Sequence, residues 1–342
     1  MYYNVESINL KSKYEIQEVE KFLMSFNLKY DDVDYTVVIR ENDEIIATCS
    51  KKENILKCFA INENHQGLGI SNNLISKVTE KLFLEGRYHS FIFTKPKNQF
   101  LFEGLGYKNI FTTDKVSLLE SGNKNINSSL DKLIKEFNID NKKEYASLVM
   151  NCNPFTLGHR YIVEKAAKEN ENVIIFIVEE DKSVFPFNIR YKLVKEGTKD
   201  LKNVIVIPAG EYIISSATFP SYFLKQSDDI LKEYTKLDCN IFGKYFASKF
   251  NIKRRYVGTE PNCKVTDTYN QSMIEILPKY GIDVKIINRK EIPSEVISAS
   301  RVRELLKEGN LDGVKNLLPK SSFEFLFSEE GEKVIEKLKS TV

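Results

Sequence analysis

Five short runs in the later part of the chain, at 146–150, 173–178, 204–208, 255–258 and 284–287, are apolar and mostly rich in Val and Ile, with helix-length stretches between them. Strands that are apolar on both sides must be covered on both faces. Spacing them with helices gives parallel pairing, because each helix carries the chain back across the sheet. The fold class expected is therefore α/β, with a parallel sheet sandwiched between helices. Ligands of such sheets sit at the carboxyl ends of the strands.

The earlier part has a different pattern. Residues 35–41 and 44–50 flank Asn42-Asp43, a strand–turn–strand signal, and 54–61 continues the sheet. Gln66-Gly67-Leu68-Gly69 then opens an amphipathic helix with Leu74, Ile75, Val78 and Leu82 at helical spacing. A further strand is expected at 89–94 and a short helix at 98–104, running into Gly106-Tyr107. The stretch 120–129 is polar, aperiodic and rich in Gly, Asn and Ser, which places a domain boundary there. The organisation expected is an α+β domain at 1–125, a linker with a short helix (130–137) at 126–144, and the parallel-sheet domain at 145–342. A chain of 342 residues suits two domains.

Composition narrows the partners. Lys and Arg number 50 against 48 Asp and Glu, a net charge of +2, so no bulk charge advertises nucleic acid. The longest apolar runs are about six residues, far short of the ~20 of a membrane helix. Met1-Tyr2-Tyr3-Asn4-Val5-Glu6 has no basic segment leading into an apolar one, so no secretory signal is expected. The five cysteines are scattered, odd in number and without a C-x-x-C pair, which fits neither a disulfide framework nor a zinc ribbon. A cytoplasmic protein with reduced thiols is expected.

Two segments carry chemistry. Met150-Asn151-Cys152-Asn153-Pro154-Phe155-Thr156-Leu157-Gly158-His159 runs from the first of the five strands directly into a helix. Pro154 fixes a turn, Gly158 lets backbone approach closely, and the start of the helix offers N–H donors to phosphate. His159 can donate to a phosphoryl oxygen as charge develops, with the Thr156 hydroxyl beside it. Alone, a histidine at a helix start reads equally as a structural residue. The second segment is Ile297-Ser298-Ala299-Ser300-Arg301-Val302-Arg303, opening a helix over 301–307. Val302, Leu305 and Leu306 form its apolar face, which leaves Ser300 and Arg303 as neighbours three apart. Two hydroxyls, backbone N–H groups and a forked cation together suit a triphosphate.

The pair resembles the (H/T)-x-G-H and I-S-x-S-x-x-R motifs of the nucleotidyltransferase superfamily, which transfer adenylyl groups and release pyrophosphate. Thr156, Gly158 and His159 match the first motif, with Thr where many members have His; Ile297, Ser298, Ser300 and Arg303 match every fixed position of the second. The resemblance implies a Rossmann-like domain at 145–342. It further implies His159, Thr156, Lys182 and Arg303 as catalytic residues, and Asn153, Phe155, Gly158, Gly258, Thr259, Ser298 and Ser300 around ATP and its Mg²⁺. Arg190, in the helix after Lys182, reads as structural or as a site residue. The 209–223 segment combines Ser215, Ser216 and Thr218 with Phe219, Tyr222 and Phe223; it suits a small acyl pocket as well as an ordinary loop and helix.

These segments, in this order and over nearly the whole chain, are similar to the citrate lyase ligases, which join a GNAT-like domain to a nucleotidyltransferase domain. Gln66 and Gly69 match the start of the GNAT pyrophosphate loop, with Gly67 between them, while Ser71 stands where Gly or Ala closes it. Residues 100–107 resemble the F-Y-x-x-x-G-F/Y segment of the same fold. What the resemblance implies is activation of acetate by ATP as acetyl-adenylate. The thiol of a CoA-like arm on the acyl carrier subunit of citrate lyase then takes the acetyl group, and Gln66, Gly67 and Gly69 hold that arm. Three other readings remain open at this level: adenylyl transfer to a phosphorylated metabolite of the pantetheine-phosphate type, N-acetyl transfer by the first domain with the second regulatory, and a non-enzymatic ATP-sensing or carrier-binding module.

Overall fold

The computed structural model describes residues 3–179, 183–213, 227–259, 264–288, 291–292 and 295–340. Lys182 and the acyl-pocket candidates Ser215, Ser216 and Thr218 lie outside the described residues. The chain divides into two compact units, Met1–Ile126 with Thr218–Leu237, and Asn127–Ala217 with Asp238–Val342.

The first unit is α+β. Its elements are β1 (Glu6–Ser7), α1 (Lys13–Met24), β2 (Tyr35–Glu41), β3 (Glu44–Lys52), β4 (Ile55–Ile61), α2 (Ile70–Leu84), β5 (His89–Thr94), α3 (Gln99–Gly104), β6 (Lys108–Thr112) and β7 (Ser117–Gly122). The strands form one sheet in the order β1-β2-β3-β4-β5-β7-β6. Neighbours are antiparallel except β4 and β5, which are parallel because α2 crosses between them. Val37, Ile39, Ala47, Leu56 and Ile92 of the sheet pack with Leu74, Val78 and Leu82 of α2, the helical face anticipated from their spacing. β4 and β5 pair only at Ile55↔Phe91 and Leu56↔Ile92. Beyond that point residues of both strands line a cavity of about 460 Å³.

The polar stretch 120–129, aperiodic in sequence, is largely taken up by regular elements. Residues Glu120, Ser121 and Gly122 end β7, and α4 (Ile126–Glu136) starts four residues before the helix anticipated at 130. Glu120 points inward, where its Oε2 meets His89 Nε2 at 2.9 Å and its Oε1 accepts the Ile126 N–H at 3.1 Å. A charged residue that is buried because it is paired looks like loop when read by polarity alone.

The second unit continues with β8 (Tyr145–Met150), α5 (Leu157–Glu169), β9 (Val173–Ile177), α6 (Phe187–Gly197) and β10 (Val204–Pro208); of α7 (Ser227–Ile241), residues up to Leu237 belong to the first unit and those from Asp238 to the second. α7 runs on through a π-helical turn (Phe242–Ala247) into α8 (Ser248–Phe250). Then come β11 (Ile252–Gly258), α9 (Lys264–Ile276), β12 (Asp283–Ile287), a short ribbon of β13 (Glu291–Ile292) with β14 (Glu295–Val296), and α10 (Ala299–Glu308), α11 (Leu311–Lys315), α12 (Lys320–Phe325) and α13 (Glu329–Ser340). The five expected strands form an all-parallel sheet in the order β10-β9-β8-β11-β12. Every residue of β9 is fully buried, as its unbroken apolar run requires, and each such side chain contributes about 1.5–3 kcal/mol. The strand order turns at β8, with β9 on one side and β11 on the other, so the crevice at the carboxyl end of β8 is where this architecture receives a ligand. Among the described residues no helix is long and apolar enough to cross a membrane, and Cys49, Cys58, Cys152 and Cys239 are buried free thiols.

Candidate active site

β8 delivers the loop 151–156 into that crevice, and Thr156 caps the helix that follows. Its side-chain oxygen accepts the His159 N–H at 3.3 Å, while its own backbone N–H donates to His159 Nδ1 at 3.1 Å. This reciprocal arrangement is a capping box with histidine in the place usually taken by Glu or Gln. The Leu157 N–H goes to Leu317 O at 2.9 Å. Of the first three helical N–H groups, only that of Gly158 is left without a partner among the described residues.

α10 begins against this loop. Ser298 caps it by accepting the Arg301 N–H at 3.1 Å, and the Ala299 and Ser300 N–H groups of its first turn have no partner among the described residues. Val302, Leu305 and Leu306 are buried, as the spacing predicted. Arg303 donates from Nη2 to Ser300 Oγ at 3.1 Å and from Nη1 to the Asn153 carbonyl at 2.6 Å. The second bond joins the two motifs across 150 positions of sequence. A Cβ on Gly158 would come to 3.0 Å from the Ile297 carbonyl, so the glycine also lets motif approach motif. Burial lowers the Arg303 pKa from its ordinary value, with Glu304 opposing; the group remains a cation, as arginine does in proteins.

Other expected residues fall into place differently. The Phe155 side chain is fully buried, stacked on the His159 ring at 6.1 Å between centroids and 14° between planes, so any contact it makes with a nucleotide is through its backbone. Gly258 ends β11, and the Thr259 N–H donates to Ile287 O at 3.0 Å, at the same end of the sheet. Cys152 is buried, and that burial pushes its thiol well above the ordinary range, with Arg190 opposing, which does not suit a nucleophile.

Arg190 resolves as an organising residue. It is fully buried on α6 and donates to the carbonyls of Asn151, Val178 and Phe185 and to Asn151 Oδ1, at 2.7–2.9 Å. Asn151 also bonds Ser183, and Asn153 Oδ1 accepts the Phe185 N–H at 3.0 Å. The loop after β8 and the segment before α6 are thereby sewn together. Asn151 was not singled out from the sequence, because its partners lie 32 and 39 residues away and leave no local pattern.

In the first unit the cavity between β4 and β5 is lined by Gln66, Gly67 and Ser71 beside Phe59, Lys95 and Phe100. Gly67 and Gly69 have φ of +80° and +78°, values that glycine adopts without strain. Gly69 leads into α2 with no side chain capping its first turn. The expected loop residues Gln66 and Gly67 therefore do border a cavity.

Residues 145–326 match the family described as Citrate lyase ligase C-terminal domain. A citrate (pro-3S)-lyase ligase of Klebsiella pneumoniae is 34% identical over 323 residues, covering 93% of this chain and 94% of that protein. Its counterpart in Haemophilus influenzae is 35% identical over 329 residues, 94% of this chain and 97% of that one. A solved structure of a GNAT-family acetyltransferase from Staphylococcus aureus Mu50 is similar over 36% of this chain and 100% of its own, with a TM-score of 0.31 and 16% identity. With relatives at this identity matching from the first unit through the second, the chain belongs to the citrate (pro-3S)-lyase ligase family.

Proposed function

We propose that this protein activates acetate with ATP and passes the acetyl group to the thiol of the CoA-like arm carried by the acyl carrier subunit of citrate lyase. In the first step an acetate oxygen bonds to the α-phosphorus and the bond to the β-phosphate bridge breaks, giving acetyl-adenylate and pyrophosphate. In the second the thiol gives up its proton to solvent, its sulfur bonds to the acetyl carbonyl carbon, and the bond from that carbon to the phosphate oxygen breaks to release AMP. Acetate is ionised at neutral pH, so the first step needs no general base.

The observation that carries this reading is the 2.6 Å bond from Arg303 to the Asn153 carbonyl, which draws to one crevice two helix starts whose N–H donors are in part unused among the described residues. Charge on the phosphates would be met by Arg303, Ser298, Ser300 and these backbone groups. His159 would donate to the α-phosphoryl oxygens, and Lys182 would join the phosphate contacts. Gly258 and Thr259 would border the nucleoside. Mg²⁺ would enter with the phosphates, whose oxygens suit it. Ser215, Ser216 and Thr218 are the candidates for the acetate pocket. We assign the arm to the cavity of the first unit, with its pyrophosphate at Gln66, Gly67 and Gly69.

Incubating the protein with ATP, Mg²⁺ and the deacetylated carrier, with and without acetate, tests the proposal by AMP release. AMP that rises with acetate and falls away when the carrier thiol is blocked is the expected outcome. AMP-moiety transfer to a phosphorylated metabolite, with no response to acetate, would overturn it.

A further inference from the structure

We propose that Thr156 is a positioning residue for His159, holding its ring as the tautomer protonated on Nε2, and is not itself a contact to phosphate. The proposal deepens the reading of His159 as donor to the α-phosphoryl group and rests on it for its catalytic meaning. Its structural part stands on the capping geometry alone.

A neutral imidazole has one N–H and one lone pair, and the partner of one nitrogen decides which it is. A backbone N–H can only donate. The Thr156 N–H lies 3.1 Å from His159 Nδ1, so Nδ1 holds the lone pair and the proton is on Nε2. The Thr156 hydroxyl is 3.0 Å from the same Nδ1 and accepts the His159 backbone N–H at 3.3 Å. Both ends of the threonine therefore address one histidine.

Thr156 is 1% exposed, which leaves its hydroxyl no surface to offer a triphosphate. The buried Phe155 ring lies nearly parallel to the imidazole. A half-turn of the imidazole would put a carbon opposite the Thr156 N–H and lose both bonds to the cap. The tautomer matters for the chemistry. Nε2–H stabilises an oxygen that gains negative charge, whereas a lone pair at the same place repels it.

The test uses the full chain without nucleotide. It contains three histidines, so ¹⁵N-histidine labelling with a His159→Gln variant for assignment resolves the ring nitrogens of His159 by long-range proton–nitrogen correlation. Wild type and Thr156→Ser should show one neutral species protonated on Nε2. Thr156→Val keeps the backbone N–H but loses the hydroxyl that caps the His159 N–H and holds the ring against that donor, so a mixture is expected. In parallel, Thr156→Val should lower kcat for acetate-dependent AMP formation by on the order of 10²-fold, with KM for ATP little changed and with rescue by Thr156→Ser. Retention of the single tautomer in Thr156→Val overturns the proposal, as does a raised KM for ATP at unchanged kcat, the signature of a lost phosphate contact. If wild type makes no AMP, the activity reading fails separately, and the ring spectra alone decide the positioning claim.

Discussion

Arg303 uses its two terminal nitrogens for two different partners, the Asn153 carbonyl of one motif and Ser300 of its own helix. Lysine carries its charge at one point and cannot reproduce such a fork. Arg303→Lys should therefore keep the charge while letting the two motifs drift. We expect acetate-dependent AMP formation to fall by on the order of 10²-fold, with the far-UV circular dichroism spectrum unchanged. A fall of less than a few-fold in initial rate would show that charge alone suffices. At this scale the sequence was most informative where a residue acts within its own turn. The Ser300–Arg303 neighbours and the buried Val302, Leu305 and Leu306 follow from helical spacing. The role of Thr156 was harder to read, since a hydroxyl beside a histidine can serve either the histidine or a ligand.

At the scale of elements, α6 does more than cover the sheet. Through Arg190 it holds the ends of β8 and β9 in register with the loops they feed. Arg190→Met fills much of the same volume but leaves the carbonyls of Asn151, Val178 and Phe185 without the guanidinium, the first two part-buried and the last buried. We expect a loss of at least about 3 kcal/mol in stability, read as an earlier urea midpoint, and a site that binds ATP weakly even where the protein remains folded. An unshifted midpoint would show the cluster to be dispensable. The central strands β8 and β9 were legible because burial on both faces writes itself as nearly unbroken apolar runs. β6, β7 and α1 were not, for they are short or half-exposed and mix polar with apolar positions. The end of β7 was concealed by Glu120, whose charge is satisfied by His89 on the neighbouring strand. No window of local sequence contains that partner.

At the scale of the whole molecule, two units with separate hydrophobic cores correspond, on our reading, to two steps of one reaction. The steps can then be separated by substitution. A Cβ at Gly67 would meet nothing within 4 Å, so Gly67→Leu adds bulk at the rim of the first unit's cavity without a clash at the Cβ itself, though its φ of +80° strains the loop. Acetyl transfer to the carrier thiol should slow by at least about tenfold, while acetate-dependent exchange of pyrophosphate into ATP proceeds as in wild type. Equal loss of both would tie the cavity to the first step instead.

The bond between Arg303 and the Asn153 carbonyl has a bearing on how the molecule comes into being. Closing a loop of 150 residues draws on chain entropy that local contacts do not, so this contact belongs to the late stages of folding. During synthesis the loop after β8 emerges long before α10 exists. On the proposed reading, a nascent chain holds only half of the candidate site until α10 has been made, so activity waits for that helix.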